Sequence, residues 1–286
     1  NIGLRRSWLG LLTRPLFAIH NKKNAKDEDD ITFNYFFHDF NAKVTNIFSD
    51  RSRLSLSVYS GEDRIHTKDE VKDDDINETE LNEFNMNWGN LNAALNWEYV
   101  FSPKLFANFT AVYTHNVSKY KFLYDQRVVS RSGPHAGETS VTYMEYGYRS
   151  TIDDLGYRLA FDYRPSPRHH IRFGQDYTFH MFHPQTRQHK NYYGTGIAVD
   201  SLDRKSSYRN NANEWNVYAE DEVTLNKHWS FNMGLNVTMF SITGKWFVNA
   251  DPRLAIKYQP MEKLSFKTSL TSMTQYVHKI SNSFLE

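Results

Sequence analysis

The chain has 286 residues and no cysteine, with 34 Lys and Arg against 33 Asp and Glu, for a formal net charge of +1. That balance argues against a strongly basic nucleic-acid surface, and the absence of cysteine removes disulfides and thiolate chemistry. A mean hydropathy of −0.67, with no run of 18 apolar residues, removes transmembrane helices but not a membrane barrel, whose strands are half polar. Eleven strands are predicted, over 1–9, 32–48, 53–66, 88–101, 104–122, 143–164, 168–183, 213–225, 228–242, 246–258 and 263–279. The first of them, NIGLRRSWLG, is not a signal peptide, because Arg5 and Arg6 interrupt its apolar positions. Aromatic residues make up 15% of the chain, which favours strands.

Period-2 alternation is clearest in five places. In 91–101, Leu91, Ala93, Leu95, Trp97, Tyr99 and Phe101 oppose Asn92, Asn96 and Glu98. In 155–163, Leu155, Tyr157, Leu159, Phe161 and Tyr163 oppose Arg158 and Asp162. In 171–181, Ile171, Phe173, Tyr177, Phe179 and Met181 oppose Arg172, Asp176 and His180. In 229–239, Trp229, Phe231, Met233, Leu235, Val237 and Met239 oppose only small or polar residues. In 264–270, Leu264, Phe266 and Leu270 oppose Ser265, Lys267 and Ser269. Eleven residues at roughly 3.4 Å each, tilted about 45°, span about 24 Å, close to the apolar band of a membrane barrel at about 25 Å. Ordinary strands run about 5–6 residues.

The connections alternate in kind. Tight polar turns are expected at 49–52, 102–104, 165–168, 226–228 and 259–263, and long charged or Gly-containing loops at 18–31, 62–84, 125–142 and 184–212. A short connection near 240–247 is the exception. Short turns at one end and long loops at the other describe an up-and-down meander. Phe48, Tyr99, Phe101, Tyr163, Trp229 and Tyr258 gather beside the short turns, as an interfacial girdle would. The fold class read from these features is all-β: an antiparallel up-and-down transmembrane β-barrel segment of about 11 strands, with 1–286 as a single partial barrel domain. A soluble, secreted β-sandwich that binds glycans also alternates, and an outer-membrane barrel enzyme is a third class. Strand length, charges repeated on the second face and the two loop classes favour the barrel. No fixed 20–50-residue repeat supports a propeller.

Several stretches are familiar as a set. RRSWLGLLTRPLF at 5–17, YFFHDFNAKV at 35–44 and FSDRSRLSLSVYSGED at 48–63 resemble early barrel segments of TonB-dependent outer-membrane receptors of Bacteroidetes type. HHIRFGQDYTFHMFHP at 169–184, YAEDEVTL at 218–225, DPRLAIKY at 251–258 and SMTQYVHKISNS at 272–283 resemble later segments, in the same order. The resemblance implies a 22-stranded outer-membrane barrel closed by an N-terminal plug, and TonB-powered uptake of a scarce nutrient. A TonB-contacting box, a plug and the other half of the strands are missing from this sequence, so a fragment of a longer polypeptide is expected. The partners implied are outer-membrane lipid, a nutrient ligand (siderophore, cobalamin, glycan or peptide, not resolved), and the TonB complex through parts outside this chain. No nucleic acid is expected.

Candidate chemistry is sparse. His169, His170, His180, His183 and His189 cluster in sequence, but His180 and His183 differ by an odd offset and point to opposite faces of a strand. Acidic runs at 27–30 and 69–75 lack EF-hand spacing and read as solvated loop charge. Gly194-Thr195-Gly196 has no βαβ context and is loop punctuation. With no G-x-S-x-G elbow and no assembled triad, enzymatic activity is not expected. No catalytic, cofactor-binding or metal-ligating residue is nominated, and no cofactor is implied. Loop aromatics (Tyr120, Phe122, Tyr124, Tyr143, Tyr146, Tyr148, Tyr192, Tyr193, Tyr208) are suited to stacking on a sugar or flat ligand and equally to anchoring at an interface. Asp221 is an irregularity on the apolar register of 213–225, explained either by a place low in the strand or by a bulge.

Overall fold

The computed structural model describes residues 1–23, 29–73, 77–194 and 197–277. Among them, one sheet holds β1 (Ile2–Arg6), β2 (Asp29–Ser49), β3 (Ser52–Asp73), β4 (Glu78–Ser102), β5 (Leu105–Val129), β6 (Thr139–Ser166), β7 (His169–Gly194), β8 (Ile197–Ser207), β9 (Asn210–Thr224), β10 (Trp229–Ile242), β11 (Lys245–Met261) and β12 (Leu264–Thr271). Helix α1 (Leu9–Lys23) lies between β1 and β2. The strands neighbour one another in chain order, except that β8 pairs only with β7. This is the expected all-β antiparallel up-and-down architecture.

The five expected tight turns all form, and four of them share a device. Ser49, Ser102 and Ser166 each accept, through Oγ, the amide of the residue two positions on (Arg51, Lys104 and Arg168, at 3.3, 3.2 and 3.3 Å). Asn226 does the same for His228 and Trp229 at 2.8 and 3.0 Å. Short polar side chains offer the turning backbone a local partner, so these residues stop strands. The short connection at the opposite end, Thr243–Gly244, has positive φ at both residues (48° and 78°), the conformation a two-residue hairpin favours.

Register defines two faces. On one, Pro252, Leu235, Ala219, Phe173, Phe161, Ala107 and Tyr99 form a row from β11 to β4. One residue over, Asp251, Asn236, Tyr218, Gly174, Ala160, Asn108, Glu98 and Arg53 form the opposing row. We call these the Leu235 face and the Asn236 face. Leu235 is 49% exposed and Phe173 37% exposed. Among the described residues no second sheet covers them, as a sandwich would require. The burial order is inverted relative to a water-soluble domain. The described buried apolar residues are Ala212 and Phe240, whereas Asp39, Ser55, Ser118, Thr151, Thr238 and Asp251 are buried polar ones.

Three features differ from the sequence reading. First, α1 occupies part of a region expected as strand and loop. It runs beside the free edge of β2 above β1. Ser7 and Phe37 exchange hydrogen bonds (Ser7 N to Phe37 O, 2.8 Å; Phe37 N to Ser7 Oγ, 3.0 Å). Asn21 brackets Ile31, accepting from its amide at 3.2 Å and donating to its carbonyl at 2.9 Å. The helix thus supplies side-chain partners to an otherwise open edge. Second, the region 184–212 contains β8. Residues 185–194 of β7 pair with β8 and residues 169–182 pair with β9, so β8 and β9 continue one line. The break falls opposite Pro184, which has no N–H to give the ladder. Third, β3 to β7 run 22 to 28 residues, far into the stretches read as loops. Of the final predicted strand, 264–271 is strand and 272–277 is not, while 278–279 lie outside the described residues. So do parts of the acidic runs and Thr195–Gly196.

Candidate ligand-binding face

At the end away from the short turns the two faces exchange character while the register continues unbroken. In β4 the apolar residues Leu91, Leu95 and Trp97 lie on the Leu235 face, but Trp88, Met86 and Phe84 lie on the Asn236 face. In β5, Phe109 and Tyr113 give way to Tyr120, Phe122 and Tyr124. β6 switches from Leu155 to Tyr148, Tyr146 and Met144. Three stacked rows result on the Asn236 face: Phe37–Asp63–Trp88–Ser118–Ser150, Tyr35–Ile65–Met86–Tyr120–Tyr148 and Phe33–Thr67–Phe84–Phe122–Tyr146. The same height of the Leu235 face is polar, with the rows Phe36–Arg64–Asn87–Lys119–Arg149 and Asn34–His66–Asn85–Lys121–Gly147. Long strands that leave an apolar band for water would shed apolar residues from both faces. Here they gather aromatics mainly on one face, with Phe36 and Tyr143 as exceptions on the other, which marks the aromatic face for contact.

The Tyr120 ring stacks on Tyr148 with centroids 5.2 Å apart and lies 5.7 Å from Tyr146. Such ring pairs are worth about 0.5–1.5 kcal/mol beyond their buried area. Tyr35 donates to Asp63 at 2.7 Å. That bond raises the Tyr35 phenol above its ordinary range, and burial raises those of Tyr120 and Tyr124. The phenols therefore stay neutral donors at physiological pH. Charge on this wall is carried by Asp63, Glu78 and Glu80 rather than by grouped cations.

Of the nine aromatics singled out from sequence, Tyr120, Phe122, Tyr124, Tyr146, Tyr148 and Tyr192 share the Asn236 face. Tyr143 projects from the opposite face and rests edge-on against His189. Tyr208 sits at the break between β8 and β9, 65% exposed. The side chain of Tyr193 lies outside what is described. Sequence reading missed Phe33, Tyr35, Phe37, Phe84 and Trp88. The parity switch was their signal.

Nearer the short turns the Asn236 face is laced by cross-strand ion pairs. Arg172 meets Glu220 at 2.7 Å, Arg158 meets Asp176 at 2.9 Å, and His170 meets Asp162 at 2.6 Å. His180 bridges Asp154 (2.7 Å) and Glu214 (3.5 Å), whereas His183, on the other face, contacts Ser207 at 3.0 Å. The histidines clustered in sequence are thus dispersed among separate partners. Among the described residues no three His, Asp or Glu converge as metal ligands.

Asp221 keeps the Leu235 face with no register shift in β9, so the bulge explanation fails. It pairs instead with His169, at the turn, at 2.7 Å. A hydrogen-bonded pair at this exposed end is worth about 0–1 kcal/mol. Asp221→Leu should therefore change the unfolding free energy of the full-length protein, measured by urea titration, by less than about 1 kcal/mol. A loss of several kcal/mol would mean that the pair is dry and integral.

A family model described as TonB dependent receptor-like, beta-barrel, matches residues 12–273. No curated protein matches the chain in sequence. Among solved structures, the ferric preacinetobactin receptor BauA of Acinetobacter baumannii is 8% identical, covering 83% of this chain and 45% of its own, with a TM-score of 0.42. The ferric citrate transporter FecA in its unliganded form is 11% identical, with 83% and 41% covered and a TM-score of 0.34. The translocator domain of the autotransporter NalP of Neisseria meningitidis is 7% identical, with 85% and 76% covered and a TM-score of 0.25. The chain spans less than half the length of the first two.

Proposed function

Because the chain belongs to the TonB-dependent receptor β-barrel family, we propose that it is a barrel segment of a longer, Bacteroidetes-type receptor that takes up a scarce nutrient through the outer membrane of a Gram-negative bacterium. The family is one of transport receptors rather than enzymes. The observation that carries the reading is the inverted burial order: an exposed apolar band on the Leu235 face, with carboxylates and hydroxyls buried behind it. In this reading the Leu235 face meets acyl chains and the Asn236 face lines the lumen. The short turns face the periplasm and the long hairpins stand outside the cell. Closed strand pairing is what hydrocarbon demands, so the remaining strands belong to the rest of the polypeptide, as does the plug.

The mechanism follows from the division of labour. The aromatic wall at the extracellular end offers ring faces and neutral hydroxyls to a ring-bearing nutrient. Release into the periplasm then requires the plug to rearrange as the TonB complex pulls it. Both of those components lie outside this chain. The ligand is left as a class, because the wall fixes stacking and hydrogen bonding but not a single structure.

The test is fractionation of cells carrying the full-length protein. It is expected in the outer membrane, to require detergent for purification, and to migrate faster on electrophoresis unheated than boiled. A monodisperse full-length protein in detergent-free buffer would overturn the reading.

A further inference from the structure

Asp63 stands inside a frame of rings. On the Asn236 face it lies between Phe37 of β2 and Trp88 of β4, its direct cross-strand neighbours. Such neighbours hold their Cβ atoms about 4.5–5.5 Å apart. Tyr35 donates its hydroxyl to the carboxylate at 2.7 Å, and its ring lies 6.0 Å from that of Phe37. We propose that this frame binds the ammonium group of an organic cation, so that the nutrient taken up is positively charged.

Charge is sorted between the two faces. Beyond the level of Leu91, away from the short turns, every Lys and Arg of β3 to β6, from Arg64 to Arg149, projects from the Leu235 face. Most are matched by carboxylates of that same face: Arg64 by Glu62 (2.9 Å), Lys68 by Glu70 (2.6 Å), Lys121 by Glu145 (3.2 Å) and Arg127 by Asp125 (3.1 Å). The Asn236 face differs. Among the described residues Asp63, Glu78 and Glu80 accept there from uncharged donors, namely the Tyr35 hydroxyl, the Gln126 amide and the Asn82 amide. Lys190 of β7 and Arg204 of β8 do project inward, but from four or more strands beyond β3, or about 19 Å away. That is more than twice the screening length at physiological salt, about 8 Å. The ring-bearing wall of β2 to β6 is therefore negative.

The frame suits an ammonium and repels an anion. Ring faces are negative, and a cation within about 6 Å of a Trp, Tyr or Phe ring centre is attracted to them. A carboxylate set among three rings adds an opposite charge at short range, where apolar neighbours weaken screening by water. Rings gathered around a quaternary ammonium are a recurrent form of recognition. A carboxylate or phosphate brought to the same place would lose its water and meet Asp63 with no counter-charge. The inference narrows the ring-bearing nutrient of the proposed function, and it rests on the assignment of the Asn236 face to the lumen made there.

The experiment titrates three ring probes of similar size, benzyltrimethylammonium, benzyl alcohol and benzoate, into the full-length receptor in a nonionic detergent, followed by calorimetry. The cation should bind about tenfold more tightly than either of the others. Asp63→Asn, which keeps an acceptor for Tyr35, should weaken the cation about tenfold, the loss of one charge-assisted contact, and leave benzyl alcohol unchanged. Lys119→Gln, on the opposite face, should leave all three titrations unchanged. Equal or tighter binding of either other probe, an unchanged cation affinity in Asp63→Asn, or no saturable binding of the cation overturns the proposal. The comparison of probes needs no variant, so misfolding of Asp63→Asn leaves the proposal testable. An error in the membrane assignment shows in fractionation. An error here leaves the receptor in the outer membrane with no preference for positive charge.

Discussion

Leu235→Arg is expected to lower the unfolding free energy by about 2–4 kcal/mol, the cost of a cation on the lipid face near the bilayer midplane. Leu235 lies six residues above Trp229 at the turn end, or about 14 Å along the barrel axis for a strand tilted by about 45°. Its cross-strand neighbours, Ala219 and Pro252, offer no counter-charge. Asn236→Arg, one residue along, should be far milder. Its side chain projects to the Asn236 face opposite Asp251, a carboxylate only 3% exposed that an arginine can approach. Equilibrium unfolding of the two full-length variants in a lipid bilayer decides the matter. Equal losses would mean that the two faces do not differ in solvent, and the membrane assignment would fall.

Gly174→Val should cost about 3 kcal/mol, the upper part of the range for overpacking. Gly174 faces Tyr218 across β7 and β9. A Cβ at Gly174 would collide with the carbonyl oxygen of Leu159 and come within 2.8 Å of the Tyr218 hydroxyl. The ring therefore lies over the glycine because nothing projects from it. Tyr218→Ser should recover part of the loss in the double variant. The backbone collision with Leu159 sets the part it cannot recover. A coupling energy near zero in that cycle would show that the ring does not rest there.

The membrane-height half of each strand was readable from sequence because one solvent boundary forces one parity. Trp229 through Met239 alternate without exception, and the register bears that out residue by residue. The outer half was not readable, although it obeys the same period. Above the band both boundaries change at once. Glu62, Arg64, Lys68 and Glu70 occupy the parity that Leu54, Leu56 and Val58 held below, and the aromatics move to the other parity. A reader following one phase meets charges where apolar residues belong and infers a loop. The candidate wall was half visible for the same reason. Tyr120, Phe122 and Tyr124 stood out as aromatics, but their shared face depends on pairing with β4 and β6, which sequence spacing alone does not state. Helix α1 carried little local signal. It has no acidic residue in its first turn and holds Pro15 in its interior, which removes one amide from the helical ladder. Its place is fixed by Ser7 and Asn21 against β2, a tertiary cause.

The strict neighbour-to-neighbour pairing has a consequence for how the chain reaches its native form. From β2 onward each strand finds its partner across a short connection, the four serine- and asparagine-stopped turns among them, except β9, which pairs back to β7 past β8. Closing so few residues costs little chain entropy, and low sequence separation between partners favours rapid formation. Every completed hairpin leaves one unpaired edge, and the next segment to emerge is the one that fits it, save at β7, whose edge is shared by β8 and β9 in turn. Biogenesis can therefore proceed like a zip, in the order of synthesis, without a distant segment having to arrive first.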